Sequence, residues 1–536
     1  MPERPNEISA PVPRPILRLF RVALAASLAL SALLYFLWSW RWPLVGDSAI
    51  IHYIAFLLQR GWVPYSQISD QQFPGTYLIE IAAMHLFGPG DLGWRLFDFT
   101  LLAIASFSFF VVTRESSPAT SQSKWLPGLF SASLFILIHG RDGLAQGGQR
   151  DLTMAVLLLA ATASLFAAVR RNSPGLAAAF GLLSGLAVTI KPTTLPVTLA
   201  QVLLAGFVLY HRRSPWRACA LPAALAYLIG PAIALTFLLR EHALAAFLAG
   251  FHGIVPYYAS LGHRPLSYIL LHSLSPMQAL VLLWLILLAL RSHPLQYLHD
   301  WQRTSLAVGA LFGLIDCLIQ QRAFPYYRYP LLAFLLPLIA IDLDRALRQP
   351  IAAAATPLRA RIAALIALAA VSYGGFFLAP QSALFIHRYR WWETDFISSL
   401  QQNLNALGGA QLSGHIQCID GISGCDNVLY RMRLEQSTGI LADYVLFGPD
   451  SVPIIHQTRQ QFAADILALP PQVIVVTSPL HIDGPDNFQK LDRWPAFAQF
   501  LATRYTLQTE WSPTRTARWW TREETPASYR IYVLRH

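Results

Sequence analysis

Asp47 stands one residue past Gly46, where the first long apolar run gives way to GDSAIIHYIAFLLQRGWVPYSQISDQQFPGTYLIEIAAMHLFGPGDL. A lone carboxylate there can act as a general base, bind a metal or cap a helix N-terminus. A second stretch, HGRDGLAQGGQRDLTMA over 139–155, carries Arg141-Asp142 and Arg150-Asp151 among glycines. Glycine lets the backbone turn tightly or approach a ligand. Arginine grips phosphate through paired hydrogen bonds. The same pairs also suit interfacial ion pairs, and Asp151 suits a helix cap. Lys191-Pro192 joins two apolar runs, where the lysine meets a lipid phosphate or snorkels to the surface. Farther on, QQRAFPYYRYPLLAFLLPLIA sets Arg322 and Arg328 among Tyr326, Tyr327 and Tyr329. Two guanidiniums so near hydrocarbon need anionic partners, either a lipid phosphate or Asp316 one turn earlier. Arg95 and Asp98, three residues apart, read as a local ion pair. His252, Tyr257, Tyr258, His263 and Arg264 suit a sugar or phosphate, or an ordinary aromatic belt.

The elements that must position these groups are membrane helices. The chain has 536 residues, 54% hydrophobic and 13% charged, far from a soluble profile. Apolar runs at 20–40, 92–113, 125–139, 152–169, 175–190, 193–210, 219–239, 276–290, 305–319, 328–342 and 362–379 predict about eleven spans of a roughly 30 Å hydrocarbon layer. The first is expected to stay uncleaved, because no small-residue cleavage site follows it. The net charge of +11 lies largely in short loops, where it sets topology rather than binding nucleic acid. With the N-terminus inside, basic residues such as Arg4, Lys124, Arg170, Arg171, Arg212 and Arg291 fall inside. Asp47, Asp70, Glu80, Asp91, Asp142 and Asp151 fall outside, as do the long loops 41–91, 140–151, 240–275 and 320–328.

Between the first two spans, Ala49 to Gln59 and Tyr77 to Phe87 are amphipathic runs joined by a turn, Trp62-Val63-Pro64-Tyr65. They predict helices lying in the interface plane. Past about residue 380 the long apolar runs stop. Tyr444–Phe447, Val473–Thr477 and Tyr529–Leu534 read as strands, with helical patterns at Thr458–Leu469 and Trp494–Tyr505. That alternation predicts a soluble α/β domain over 380–536, outside the membrane, after a transmembrane domain over 1–379. Cys418 and Cys425 would bridge there in an oxidising compartment, while Cys219 and Cys317 read as inert.

The chain resembles the GT-C fold glycosyltransferases, in the family 39-like group that holds protein O-mannosyltransferases and the lipid A aminoarabinose transferase. The resemblance rests on GDSAIIHYIAFLLQRGWVPYSQISDQQFP, GQRDLTMA and YYRYPLLAFLLP and covers roughly residues 15–380. It implies that Asp47 is the base or acceptor-orienting acid and Asp151 the second essential acid. It places the tyrosine-proline motif on Tyr329-Pro330, beside Arg328. Asp47-Ser48 stands where many relatives have Asp-Glu, and Gln72-Phe73-Pro74 where relatives have Lys-Pro-Pro. Phosphate contact then falls to Arg150, Lys191, Arg322 or Arg328, with Tyr329, His52 and Tyr65 as further substrate-side residues.

The expected activity is transfer of a sugar from a polyprenyl-phosphate donor to a hydroxyl of a lipid, glycan or protein. The expected setting is the outer side of a bacterial inner membrane, among membrane lipids. No cofactor is assigned. Asp47 and Asp151 are two carboxylates, too few to specify a divalent cation. The competing classes are a transporter or flippase, which needs mid-membrane charges and related halves, and a non-catalytic assembly protein.

Overall fold

The structure, a computed structural model, describes residues 14–116, 125–213, 216–290, 300–348, 356–384, 393–481, 488–513 and 527–535. Arg4, Lys124 and Arg291 of the charge pattern lie outside the described residues.

Each of the eleven apolar runs is helical. They correspond to α1 (Arg14–Ser39), α4 (Asp91–Glu115), α5 (Leu126–Asp142), α6 (Arg150–Arg171), α7 (Pro174–Ile190), α8 (Leu195–His211), α9 (Trp216–Arg240), α12 (Gln278–Ala289), α13 (Trp301–Ile319), α14 (Tyr329–Arg348) and α15 (Thr356–Ser372). Seven helices among the described residues are long and apolar enough to cross a bilayer, or eight if one bent pair is a single span. That pair is α11 (Leu266–Leu274) and α12, bent by 90°. α5 and α7 have 17 residues each, short for a span, and the last turns of α14 carry Asp342, Asp344 and Arg345. The chain is a multi-pass membrane protein with fewer full-length spans than apolar helices among the described residues.

The two amphipathic runs are α2 (Gly46–Gln59) and α3 (Pro74–Phe87). The stretch 240–275, read as an outer loop, instead folds into α10 (Leu244–Ser260) and α11.

The C-terminal segment forms a four-stranded sheet from β1 (Ile416–Ile419), β2 (Val473–Thr477), β3 (Tyr505–Trp511) and β4 (Tyr529–Leu534). Its order is β1-β2-β4-β3, with β1 and β2 parallel and the other pairs antiparallel. Helices Pro453–Ala468 and Pro495–Arg504 match the helical patterns. Tyr444–Phe447, expected as a strand, is one helical turn. All four of its residues are buried, and a run so short carries no period to separate turn from strand.

β2 explains how this segment docks. Successive side chains of a strand point to opposite faces. Val473 and Val475 share a core with α2 and α3, while Ile474 and Val476 pack with helix Pro453–Ala468 and with Ile254 and Tyr257 of α10. The sheet is therefore covered on both faces, which accounts for the unbroken apolar run VIVV that precedes Thr477. Polar bonds stitch the same interface. Tyr53 donates to Leu434 O (3.1 Å), Trp62 Nε1 to Glu435 Oε2 (2.8 Å) and Ser69 N to Gly439 O (2.9 Å). Cys418 of β1 is disulfide-bonded to Cys425, and Cys219 and Cys317 are buried free thiols.

Candidate functional site

The loop between α5 and α6 is fixed before anything else in the site. Asp98 on α4 is fully buried, paired with Arg95, and 3.4 Å from His139 Nε2. Arg95 also donates to Tyr35 Oη and Ser39 Oγ, each at 2.6 Å, and lies over the Phe99 ring at 4.1 Å. With one oxygen facing the arginine, Asp98 accepts the Gly148 N–H on the other at 2.7 Å. Ser48 Oγ donates to Gly147 O at 3.0 Å from the far side. A Cβ on Gly147 or Gly148 would run into the Trp94 indole, and Gly148 has φ +53°. Gly148→Ala is accordingly expected to cost about 1–3 kcal/mol by overpacking. A thermal-denaturation midpoint equal to the native one would contradict that close fit.

The loop so held delivers Gln149, whose Nε2 donates to Asp47 Oδ2 at 3.0 Å. Asp47 sits in the first turn of α2, and the N-cap position belongs to Val45. The helix dipole favours its charge there, but its side chain makes no cap bond. It is half-buried and faces a cavity.

Arg150, Asp70, Gln71, Gln72, Tyr258 and His481 also line that cavity, with Ser69, Tyr444 and an apolar patch of Ile50, Ile51, Ile54, Ile422, Leu441 and Ala442. Arg322 stands behind Tyr258, its guanidinium 3.8 Å from the ring centroid. Its Nε donates to Leu261 O at 3.0 Å, while its buried Nη2 has no partner among the described residues. Arg150 thus shares the opening with a carboxylate, and Arg322 backs the Tyr258 ring that lines it.

Asp151 lies one layer deeper and is fully buried. Its oxygens face Lys191 Nζ at 2.9 Å and Arg150 Nε at 3.3 Å, and Lys191 also reaches Asp316 at 3.2 Å. Lys191 is therefore engaged with acids beside the Tyr327 ring rather than snorkelling. Asp151 tethers Arg150 to the cavity wall.

Four expected site residues sit elsewhere. Arg328 is paired with Asp142 and donates to the carbonyls of His272 (3.0 Å) and Ser275 (2.6 Å), pinning α14 to α5 and to the bend between α11 and α12. Tyr329 Oη is 2.6 Å from His139 Nδ1. His52 is buried against Glu80 and edge-on to Tyr430. Tyr65 donates to Gln72 O at 2.7 Å, so it shapes the loop that carries Asp70 to Gln72 without lining the opening.

Asp70 is a carboxylate that sequence reading counted among the outer acids without assigning it a role. It partners the Tyr77 hydroxyl and accepts from Gln71 N at 2.8 Å. Burial pushes its carboxyl above the ordinary range, against the Tyr77 and Gln71 bonds and the Arg150 charge. It supplies a second acid to the Asp47 cavity, where Ser48 left none beside it in sequence. Among the described residues no group of three or more His, Cys, Asp or Glu side chains is placed to hold a metal ion.

No family model matches the sequence, and no curated protein matches it. The solved structures do match. ArnT from Cupriavidus metallidurans, both in the apo state and bound to undecaprenyl phosphate, aligns with a TM-score of 0.56 at 14% identity over 95% of this chain and 97% of that chain. The chain carries the GT-C fold. A looser likeness links it to the mycobacterial arabinofuranosyltransferase AftD, with a TM-score of 0.47 and 15% identity over 96% of this chain and 41% of that one. At 95% cover, the part of the chain left outside the match is far smaller than residues 380–536, so the fold likeness is not confined to the membrane helices.

Proposed function

We propose that this protein is a membrane glycosyltransferase that moves a sugar from a polyprenyl-phosphate donor to an acceptor hydroxyl on the extracytoplasmic face. The observation that carries the reading is Asp47, half-buried at a cavity with Arg150 on its wall and the unspent donor of Arg322 just behind. The ArnT likeness, one form of which is bound to undecaprenyl phosphate, supports a lipid phosphate as the donor's carrier. The Cys418–Cys425 bridge supports an oxidising compartment for the C-terminal domain.

The chemistry is a single displacement. Gln149 holds Asp47 by Oδ2, leaving Oδ1 to take the acceptor's proton. The acceptor oxygen bonds to the anomeric carbon as the bond from that carbon to the phosphate oxygen breaks, and the electron pair leaves with the phosphate. Arg150 and Arg322 stabilise the developing anion. The anomeric configuration inverts.

The test uses purified protein with a panel of undecaprenyl-phosphate sugars, reading released undecaprenyl phosphate in native and Asp47→Asn protein. Release that depends on Asp47 supports the reading, whereas no turnover of any donor sinks it. Arg322→Ala is expected to raise the donor KM about tenfold or more, the loss of one charge-assisted hydrogen bond. An unchanged donor KM would take Arg322 out of the phosphate site.

A further inference from the structure

The cavity is not closed by the membrane helices alone. β1 and β2 run parallel, and their carboxyl ends point chain segments at the opening, the usual side for ligands in such sheets. From the end of β1, Asp420 accepts the N–H groups of Ser423 (2.8 Å), Gly424 (3.1 Å) and Cys425 (2.7 Å), fixing the turn that puts Ile422 on the cavity wall. From the end of β2, the chain runs through Thr477 to His481, which lines the same cavity as Asp47.

His481 is held in place by a buried relay. Its backbone N–H donates to Asp443 Oδ1 at 3.1 Å, and Asp443 Oδ2 accepts from Lys490 Nζ at 2.7 Å. Lys490 also donates to Ile419 O and Pro479 O at 3.1 and 3.0 Å, tying both strand ends together. Both charges are fully buried, so this is an expensive pair to maintain merely to anchor a surface loop. The imidazole stands beside Tyr444, 5.7 Å between centroids, and parallel to Tyr258 at 6.4 Å. Its ring nitrogens have no hydrogen-bond partner among the described residues. The charges that face it are Asp443, Asp47, Arg322 and Asp420, and burial holds its imidazole below the ordinary value against the pull of the acids. A neutral ring offers one donor and one acceptor.

Besides Arg150, the cavity lining presents Ser69, Asp70, Gln71, Gln72 and Tyr444, with the Tyr444 hydroxyl donating to Gln71 Oε1 and that of Tyr77 to Asp70. Such a set pairs with the hydroxyls of a sugar, and flat rings suit its C–H faces.

We propose that His481 is an acceptor-positioning residue, its imidazole holding a hydroxyl of a carbohydrate acceptor toward Asp47 while Asp443 and Lys490 fix it from behind. This rests on the glycosyltransferase reading, and its test separates the two. Saturation-transfer NMR of the purified full chain with a panel of methyl glycosides, without donor, reads acceptor binding alone. Native protein binds at least one glycoside, His481→Ala weakens that binding at least tenfold, and His481→Gln, which keeps a donor and an acceptor, stays within threefold. In transfer assays the acceptor KM of His481→Ala rises about tenfold while kcat falls less than threefold, a split that a merely structural role would not give. No glycoside binding by native protein, equal binding by His481→Ala, or failure of Gln to rescue overturns the proposal. A native protein that binds glycosides but turns over no donor sinks the transferase reading instead.

Discussion

Replacing Asp47 by Asn is expected to lower kcat by about 10²–10⁴-fold, the range for loss of a positioned general base. At 1.36 kcal/mol per tenfold, that is a loss of about 3–5 kcal/mol of transition-state stabilisation. The substitution is unusually clean. An amide oxygen can still accept the Gln149 Nε2 bond, and the residue stays in the first turn of α2 where nothing else depends on its charge for a cap. The thermal midpoint should therefore stay near the native one while turnover collapses. Asp47→Glu offers an independent check, since one extra methylene shifts the carboxylate by more than 1 Å and such misplacement can cost 10²-fold. Turnover in Asp47→Asn within threefold of native, at saturating donor, would remove Asp47 from the proton transfer.

Much of the architecture is legible in the residues because membranes constrain backbone strongly. A span must satisfy its own hydrogen bonds, so a long apolar run has little choice but helix. The first-loop helices are equally readable, since α2 and α3 keep an apolar period beside polar residues and end at Gly61 and Gly88, both at positive φ. β1 and β3 are harder. IQCI has only four residues, and Tyr505 ends the helical pattern that runs directly into β3.

The site is legible in its local parts and obscure in its long-range ones. Asp47, Arg150 and Asp151 stand out because a carboxylate or guanidinium at the edge of an apolar run demands a partner. Sequence cannot say which partner is found. Arg322 and Arg328 look alike six residues apart in a tyrosine-rich segment, yet Arg328 finds Asp142, 186 residues away, while Arg322 finds the Leu261 carbonyl and the Tyr258 ring. The single residue Asp142 decides that difference. His481 carries no local signal at all. It reaches the cavity because β2 is buried on both faces and so must lie between α2–α3 and α10, which aims its carboxyl end at Asp47.

The same dependence on distant partners makes Asp98 the residue whose loss should be felt farthest. It lies on α4, fully buried, and serves three groups at once: Arg95, His139 and the Gly148 N–H. Asp98→Ala would leave the Arg95 guanidinium uncompensated in a dry setting and orphan a buried backbone donor. Breaking a buried ion pair from one side costs on the order of 3–5 kcal/mol. Asp98→Ala is therefore expected to lower the thermal midpoint sharply or to abolish a monodisperse peak in detergent. Asp98→Asn separates the two jobs. It keeps an oxygen for Gly148 N but gives up the charge facing Arg95, so it should fold with a smaller loss of stability. Because Gly148 precedes Gln149, which holds Asp47, any slackening of that loop also reaches the Asp47 carboxylate 3.0 Å beyond. The expected pattern is Asp98→Ala far below Asp98→Asn in stability, and Asp98→Asn below native in kcat with donor KM nearly unchanged. A native-like midpoint for Asp98→Ala would mean that α1, α4 and α5 hold the loop without this carboxylate, and the chain of support from Arg95 to Asp47 would be broken at its first link.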